Sequence, residues 1–185
     1  MKNRKPLRRA VEAALGAALL AVCSWLSVPV AIPFTMQTFA VCLIAALYGA
    51  QTGLLSLTVY VLLGLTGLPV FSGFRGGAGV LLGVTGGYIL GFFFTALIVG
   101  LAVRRFGRRM SVLTAAMAVG VLVCYAFGTA WFMILYARQT GPIGLTTALS
   151  SCVLPYLLPD AVKILLAAVL ARRLAPLLSG QPDRS

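Results

Sequence analysis

The sequence predicts an all-α, polytopic membrane protein: six transmembrane helices in one bundle, with a glycine-rich outer loop folded over the mouth. Three observations lead there. Of the 185 residues, 61% are hydrophobic and 10% charged, and the mean hydropathy is +1.03, whereas a soluble domain is about half apolar and a quarter charged. Six apolar runs follow one another, and at about 20 residues per crossing they take up roughly 120 residues, leaving only loops and tails. The charges lie between and beyond those runs, which argues against a nucleic-acid surface despite the net charge of +12.

The first span is expected at residues 10–26, behind a basic tail over residues 1–9 that carries Lys2, Arg4, Lys5, Arg8 and Arg9. The run is too long for a signal peptide, no clear cleavage site follows it, and apolar segments continue to the far end. Within it Ala10, Ala14 and Ala18, and beside them Ala13, Ala17 and Ala21, recur at four-residue spacing. Such a smooth strip admits another helix backbone, and it suits internal packing equally well.

The second and third spans, residues 35–50 and 52–67, are short and meet at Gly49-Ala50-Gln51-Thr52-Gly53, which reads as a tight turn. The fourth covers residues 80–103 and ends at Arg104-Arg105-Phe106-Gly107-Arg108-Arg109; the fifth covers 112–136 and the sixth 154–174, followed by a tail over 175–185. With six spans both termini share one side. That side collects five Lys/Arg in the N-terminal tail, four after the fourth span and three from Arg172, Arg173 and Arg184, against Arg75 and Arg138 opposite, so both termini are expected in the cytoplasm. One domain accounts for residues 1–185.

Three outer segments remain: 28–38, 67–88 and 137–147. The second is rich in glycine but keeps Leu68, Val70, Phe71, Val80, Leu81 and Leu82, more apolar surface than a solvated linker carries, so it is expected to fold back over the bundle mouth.

Chemistry concentrates in the last span. Asp160 and Lys163 are the only acid and the only lysine beyond the tail segments apart from Glu12 in the first helix, and each costs about 2.5–3.5 kcal/mol to place at mid-membrane. Three residues apart on a helix, they fall on one face within contact distance. Pro155 suits the first turn, and Pro159 removes a backbone donor just before the acid. A carboxylate beside an ammonium presents acceptors and donors at one spot, which suits a ligand with both N–H and C=O groups. An internal ion pair that merely joins helices is the competing reading, although such a pair is weak as a stabilising device.

Other chemistry is poorly supplied. The chain has no histidine, and its acids are Glu12, Asp160 and Asp183, so a Ser-His-Asp triad, a histidine zinc site and a paired-carboxylate centre are all disfavoured; no catalytic or metal residues are expected. Cys23, Cys42, Cys124 and Cys152 stand singly in or beside apolar stretches and read as small packing residues. No G-x-x-x-x-G-K-[ST] phosphate loop is present, and Gly73-Phe74-Arg75-Gly76-Gly77-Ala78-Gly79 lacks its lysine and hydroxyl.

Four motifs occur in a telling order: Ile32-Pro33-Phe34-Thr35-Met36-Gln37-Thr38; Gly67-Leu68-Pro69-Val70-Phe71; Gly83-Val84-Thr85-Gly86-Gly87-Tyr88 with Gly91-Phe92; and Pro155 through Asp160 to Lys163. In these the chain resembles the BioY family, the biotin-binding S components of energy-coupling factor (ECF) transporters, over essentially its whole length. Val84 stands where many relatives have proline, and Pro159 where they have glycine; neither change removes a polar ligand group.

The resemblance implies a non-enzymatic subunit of a prokaryotic cell membrane that captures biotin from outside, with no cofactor. Its implied partners are an EcfT-type membrane scaffold and two cytoplasmic ATPases. It implies that the alanine strip, Ala10, Ala13, Ala14, Ala17, Ala18 and Ala21, docks on EcfT. Biotin offers two ureido N–H donors, a ureido carbonyl, an apolar thiolane and a carboxylate. Asp160 is expected to accept from a ureido N–H and Lys163 to donate to the ureido oxygen. Arg75 is a candidate for the carboxylate, Gly73 and Gly76 for close backbone approach, and Phe71, Tyr88 and Tyr156 for the apolar walls.

An alternative within the same class is an S component for another small vitamin; alternatives from other classes are an ion-coupled carrier using Asp160 as a proton site and an integral-membrane enzyme acting on lipids. A homo-oligomer is compatible with these charges and motifs.

Overall fold

A computed structural model describes residues 4–28 and 34–179. The expected residues Ile32, Pro33 and Arg184 lie outside the described residues. The elements are α1 (Arg4–Trp25), β1 (Ser27–Val28), β2 (Phe34–Thr35), α2 (Gln37–Leu65), α3 (Ala78–Leu81), α4 (Gly86–Phe106), α5 (Met110–Gln139), α6 (Leu145–Cys152) and α7 (Leu154–Ser179). By length and composition, four helical stretches suffice to cross a membrane: Gln37–Leu65, Gly86–Phe106, Met110–Gln139 and Leu145–Leu178.

The joint expected at residues 49–53 lies inside α2. Gly49 takes φ +82°, ψ 175°, which breaks the helical path; only glycine adopts that left-handed φ without strain. The guanidinium of Arg108 then donates to the carbonyls of Ala46 and Leu47, both at 3.0 Å, satisfying acceptors that the first arm leaves open at its end.

Small residues set the helix spacing. A Cβ on Gly16 would lie 2.3 Å from Ser56 Oγ of α2, one on Gly100 would lie 2.1 Å from the backbone nitrogen of Ala50, and one on Gly91 2.8 Å from Cys124 Sγ. Backbones therefore approach too closely for any larger side chain. Thr95 Oγ1 donates to the Gly120 carbonyl at 2.9 Å, adding a polar tie between α4 and α5 in the apolar interior.

One expectation needs correcting. The fourth span does not run from residue 80: α3 ends at Leu81, and α4 starts afresh at Gly86, because the glycine-rich stretch 83–87 has low helix propensity. Within the outer segment 137–147, α6 begins at Leu145. Helix also enters both expected tail segments, with α1 helical from Arg4 and α7 helical through Ser179.

The start of α1 and the end of α7 lie at the same end of the bundle. Arg8 pairs with Glu12 at 2.7 Å and donates to the Leu178 carbonyl at 3.0 Å, while Arg9 bonds Gln51 beside the α2 break. Between the two ends of the bundle the outer surface is largely apolar, with Leu15, Leu62, Leu122 and Leu165 all more than half exposed. Such a surface suits hydrocarbon.

Candidate substrate pocket

At the opposite end, α7 presents Asp160 and Lys163 inward, and both are 4% exposed. Lys163 Nζ donates to Asp160 Oδ1 at 2.7 Å and to the backbone carbonyl of Thr35, also at 2.7 Å. The same ammonium stands 3.7 Å from the centroid of the Phe34 ring, a cation–π contact strengthened by exclusion of water. Tyr125 of α5 donates its hydroxyl to Asp160 Oδ2. Burial of two charges is tolerable only because each is hydrogen-bonded as well as paired. Among the described residues no buried side-chain nitrogen or oxygen lacks a partner.

The couple faces a cavity that is partly open to solvent. Phe71, Val80, Ile89, Phe92 and Val121 give it apolar walls, and Tyr88 and Tyr156 add rings with polar tips. Tyr88 shares a hydrogen bond with Thr129 at 3.1 Å, and Tyr156 stacks near Phe34 with centroids 6.3 Å apart. Gln37 lines the same space; its amide donates to Tyr60 at 2.7 Å and its carbonyl oxygen accepts from Thr35 Oγ1 at 3.1 Å. An apolar slot with a few convergent polar groups is the usual form of a small-molecule site.

The outer loop forms one wall. Phe71 and Arg75 pair across a tight reversal, Phe71 N to Arg75 O at 2.9 Å and Arg75 N to Phe71 O at 3.3 Å. That reversal needs left-handed backbone at Gly73 (φ +71°) and Phe74 (φ +55°). The end of α1 holds the loop down: Ser24 Oγ donates to Val70 O at 2.6 Å, Trp25 Nε1 to Pro69 O at 2.8 Å, and the Trp25 ring stacks on Phe74 at 5.2 Å. Arg75 borders the cavity, is exposed, and donates from Nε to Ser72 O at 3.2 Å.

Of the expected binding residues, Asp160, Lys163, Arg75, Phe71, Tyr88 and Tyr156 all border this one cavity. Gly73 and Gly76 do not. Gly73 makes the reversal, and a Cβ on Gly76 would lie 2.4 Å from the Leu68 carbonyl, so both shape the loop rather than its cavity face. The alanine strip also divides. Ala13, Ala17 and Ala21 are buried within the fold, at 2%, 2% and 9% exposure, and present no free surface; Ala10, Ala14 and Ala18 are exposed. Tyr125, Thr35 and Gln37 were not among the expected residues. A tyrosine in the middle of a long apolar run signals a hydroxyl in need of a partner, which is the clue Tyr125 offered.

The family model described as the BioY family matches residues 1–180. The chain is similar to the biotin transporter BioY of Thermotoga maritima, 37% identical over 172 residues, which covers 92% of this chain and 98% of that one. It is also similar to the probable biotin transporter BioY of Pyrococcus horikoshii, 40% identical over 163 residues, covering 87% and 92%. Among solved structures, the S-component for biotin from an ECF-type ABC transporter superposes with a TM-score of 0.84 at 26% identity, covering 99% of this chain and 96% of that one. Apolar helices and transporter relatives together describe a multi-pass membrane protein. With a family match running from end to end and relatives matched over nearly their whole length, the chain belongs to the BioY family.

Proposed function

We propose that this chain captures biotin and is the substrate-binding membrane subunit of an ATP-driven ECF transporter, a transport protein without catalytic activity. The carrying observation is the buried Asp160–Lys163 couple, braced by Tyr125 and turned toward an apolar cavity. Asp160 accepts a ureido N–H, since each carboxylate oxygen still has a lone pair after its internal bond. Lys163 donates its third hydrogen to the ureido oxygen. The thiolane lies between Phe71, Phe92 and Tyr88, and the valerate carboxylate runs toward Arg75, where the cavity meets solvent.

Six spans are assigned to α1, the two arms of α2, α4, α5 and α7. Excess arginine and lysine at the end shared by both termini supports a cytoplasmic position for that end in a prokaryotic cell, with the biotin site toward the outside. Residues 1–185 form one domain. The chain carries no phosphate loop, so energy comes from two cytoplasmic ATPases through an EcfT-type scaffold that meets the exposed row Ala10, Ala14 and Ala18.

Mass spectrometry of the small molecule retained by detergent-purified protein, followed by calorimetric titration with biotin, tests this reading. We expect biotin to be retained and to bind saturably at one site. A different retained vitamin, together with no saturable biotin binding, would falsify it.

A further inference from the structure

A second cavity lies at the opposite, basic end of the bundle, between the start of α5 and the last turns of α7, and is lined by Met110, Val169, Arg172, Arg173 and Pro176. We propose that it is a binding site for one anionic phospholipid, with the phosphate between the two guanidiniums and an acyl chain along Val169 and Met110.

Depth supports that occupant. From Leu154, where α7 starts at the pocket end, to Arg172 the helix rises about 27 Å, close to the roughly 30 Å of a bilayer's hydrocarbon core. Arg172 and Arg173 therefore reach the level of headgroup phosphates, while Val169, one turn earlier, stays at the level of acyl carbons. Charge supports it as well. Among the described residues the acids are Glu12, bonded to Arg8, and Asp160, bonded to Lys163, so neither is available to these two exposed arginines. Planar guanidinium forks match phosphate oxygens in pairs. Polar head contacts above an apolar wall, in a cleft between two membrane-crossing helices, fit a lipid better than a soluble anion, which would leave the apolar wall bare.

Native mass spectrometry of the full chain, delipidated in detergent and titrated with dioleoylphosphatidylglycerol or dioleoylphosphatidylcholine, tests the assignment. The wild type should retain one phosphatidylglycerol in preference to phosphatidylcholine. R172Q/R173Q should weaken that retention by about tenfold or more, whereas R104Q/R105Q, which removes equal charge elsewhere on the same end, should leave it unchanged. Excess glycerol 3-phosphate should not displace the lipid. Equal loss in both double variants means diffuse charge attraction and overturns the site. So does equal retention of phosphatidylcholine, or displacement by glycerol 3-phosphate, which would make it a soluble-phosphate site. Should the double variant not elute as the wild type does, R172Q and R173Q singly must each weaken retention, or the proposal fails.

Discussion

Tyr125 on α5 donates to the carboxylate oxygen of Asp160 that Lys163 leaves free, so the acid is gripped from two helices at once. This fixes the plane of the carboxylate before any ligand arrives. Tyr125→Phe removes the hydroxyl but keeps the ring. A hydrogen bond to a charged group contributes about 1.5–3 kcal/mol, so calorimetry should show biotin affinity falling roughly tenfold to a hundredfold. Unchanged affinity would mean that the hydroxyl only packs.

The Asp160–Lys163 couple should respond more severely. Asp160→Asn or Lys163→Ala leaves a buried partner unpaired, a loss of about 3–5 kcal/mol, and either variant should lose measurable biotin binding at micromolar ligand. The double variant, which removes both charges, should regain folding stability relative to Lys163→Ala without regaining biotin. Near-wild-type affinity in either single variant would sink the assignment of these two residues to the ureido ring.

The couple was legible in the sequence because an i, i+3 spacing on one helix is a local property, and because charge within an apolar run is too costly to be incidental. Its bracing was not. Tyr125 lies 35 residues away on another helix, and the Thr35 group that meets Lys163 is a backbone carbonyl, which every residue carries and no sequence advertises. The joint in α2 was legible through its glycines. The break before α4 was missed because Val80, Leu81 and Leu82 continue the apolar pattern while Gly83, Gly86 and Gly87 interrupt the backbone. The buried half of the alanine strip, Ala13, Ala17 and Ala21, could not be told from its exposed half by spacing alone, since facing depends on where α2 packs.

Arg75 can be separated from the ureido site by ligand chemistry. It is exposed at the cavity edge, where a charge pair contributes about 0–1 kcal/mol. Arg75→Gln should therefore weaken biotin no more than about fivefold, and should leave biotin methyl ester, which has no carboxylate, unaffected. An equal loss for both ligands in competition binding would give Arg75 a structural role through its Ser72 contact instead.

Gly64 underlies the loop wall. A Cβ there would lie 2.0 Å from Phe71 Cζ, against a ring that is 1% exposed and packed edge-on to Tyr60 at 5.4 Å between centroids. Overpacking of this kind costs about 1–3 kcal/mol. Gly64→Ala should lower the thermal unfolding midpoint of the detergent-solubilised protein. Phe71→Leu in the same chain should recover part of that loss, because the shorter side chain withdraws from the new methyl group. If the two substitutions simply add, the clash is relieved elsewhere and the loop is not seated on Gly64.

The two faces of α1 make opposite predictions for the same change. Ala14 and Ala18 are exposed, on a helix surface smooth enough for close approach of another backbone. Ala14→Trp should leave biotin binding by the isolated chain intact, yet reduce biotin uptake by cells expressing the whole transporter by about tenfold or more, since a bulky ring forbids close helix contact. Ala17, at 2% exposure, faces the interior. Ala17→Trp should disrupt the fold itself, seen as aggregation on gel filtration and loss of biotin binding. Uptake preserved in Ala14→Trp and Ala18→Trp, with both proteins present at wild-type levels in the membrane, would move the scaffold contact away from α1.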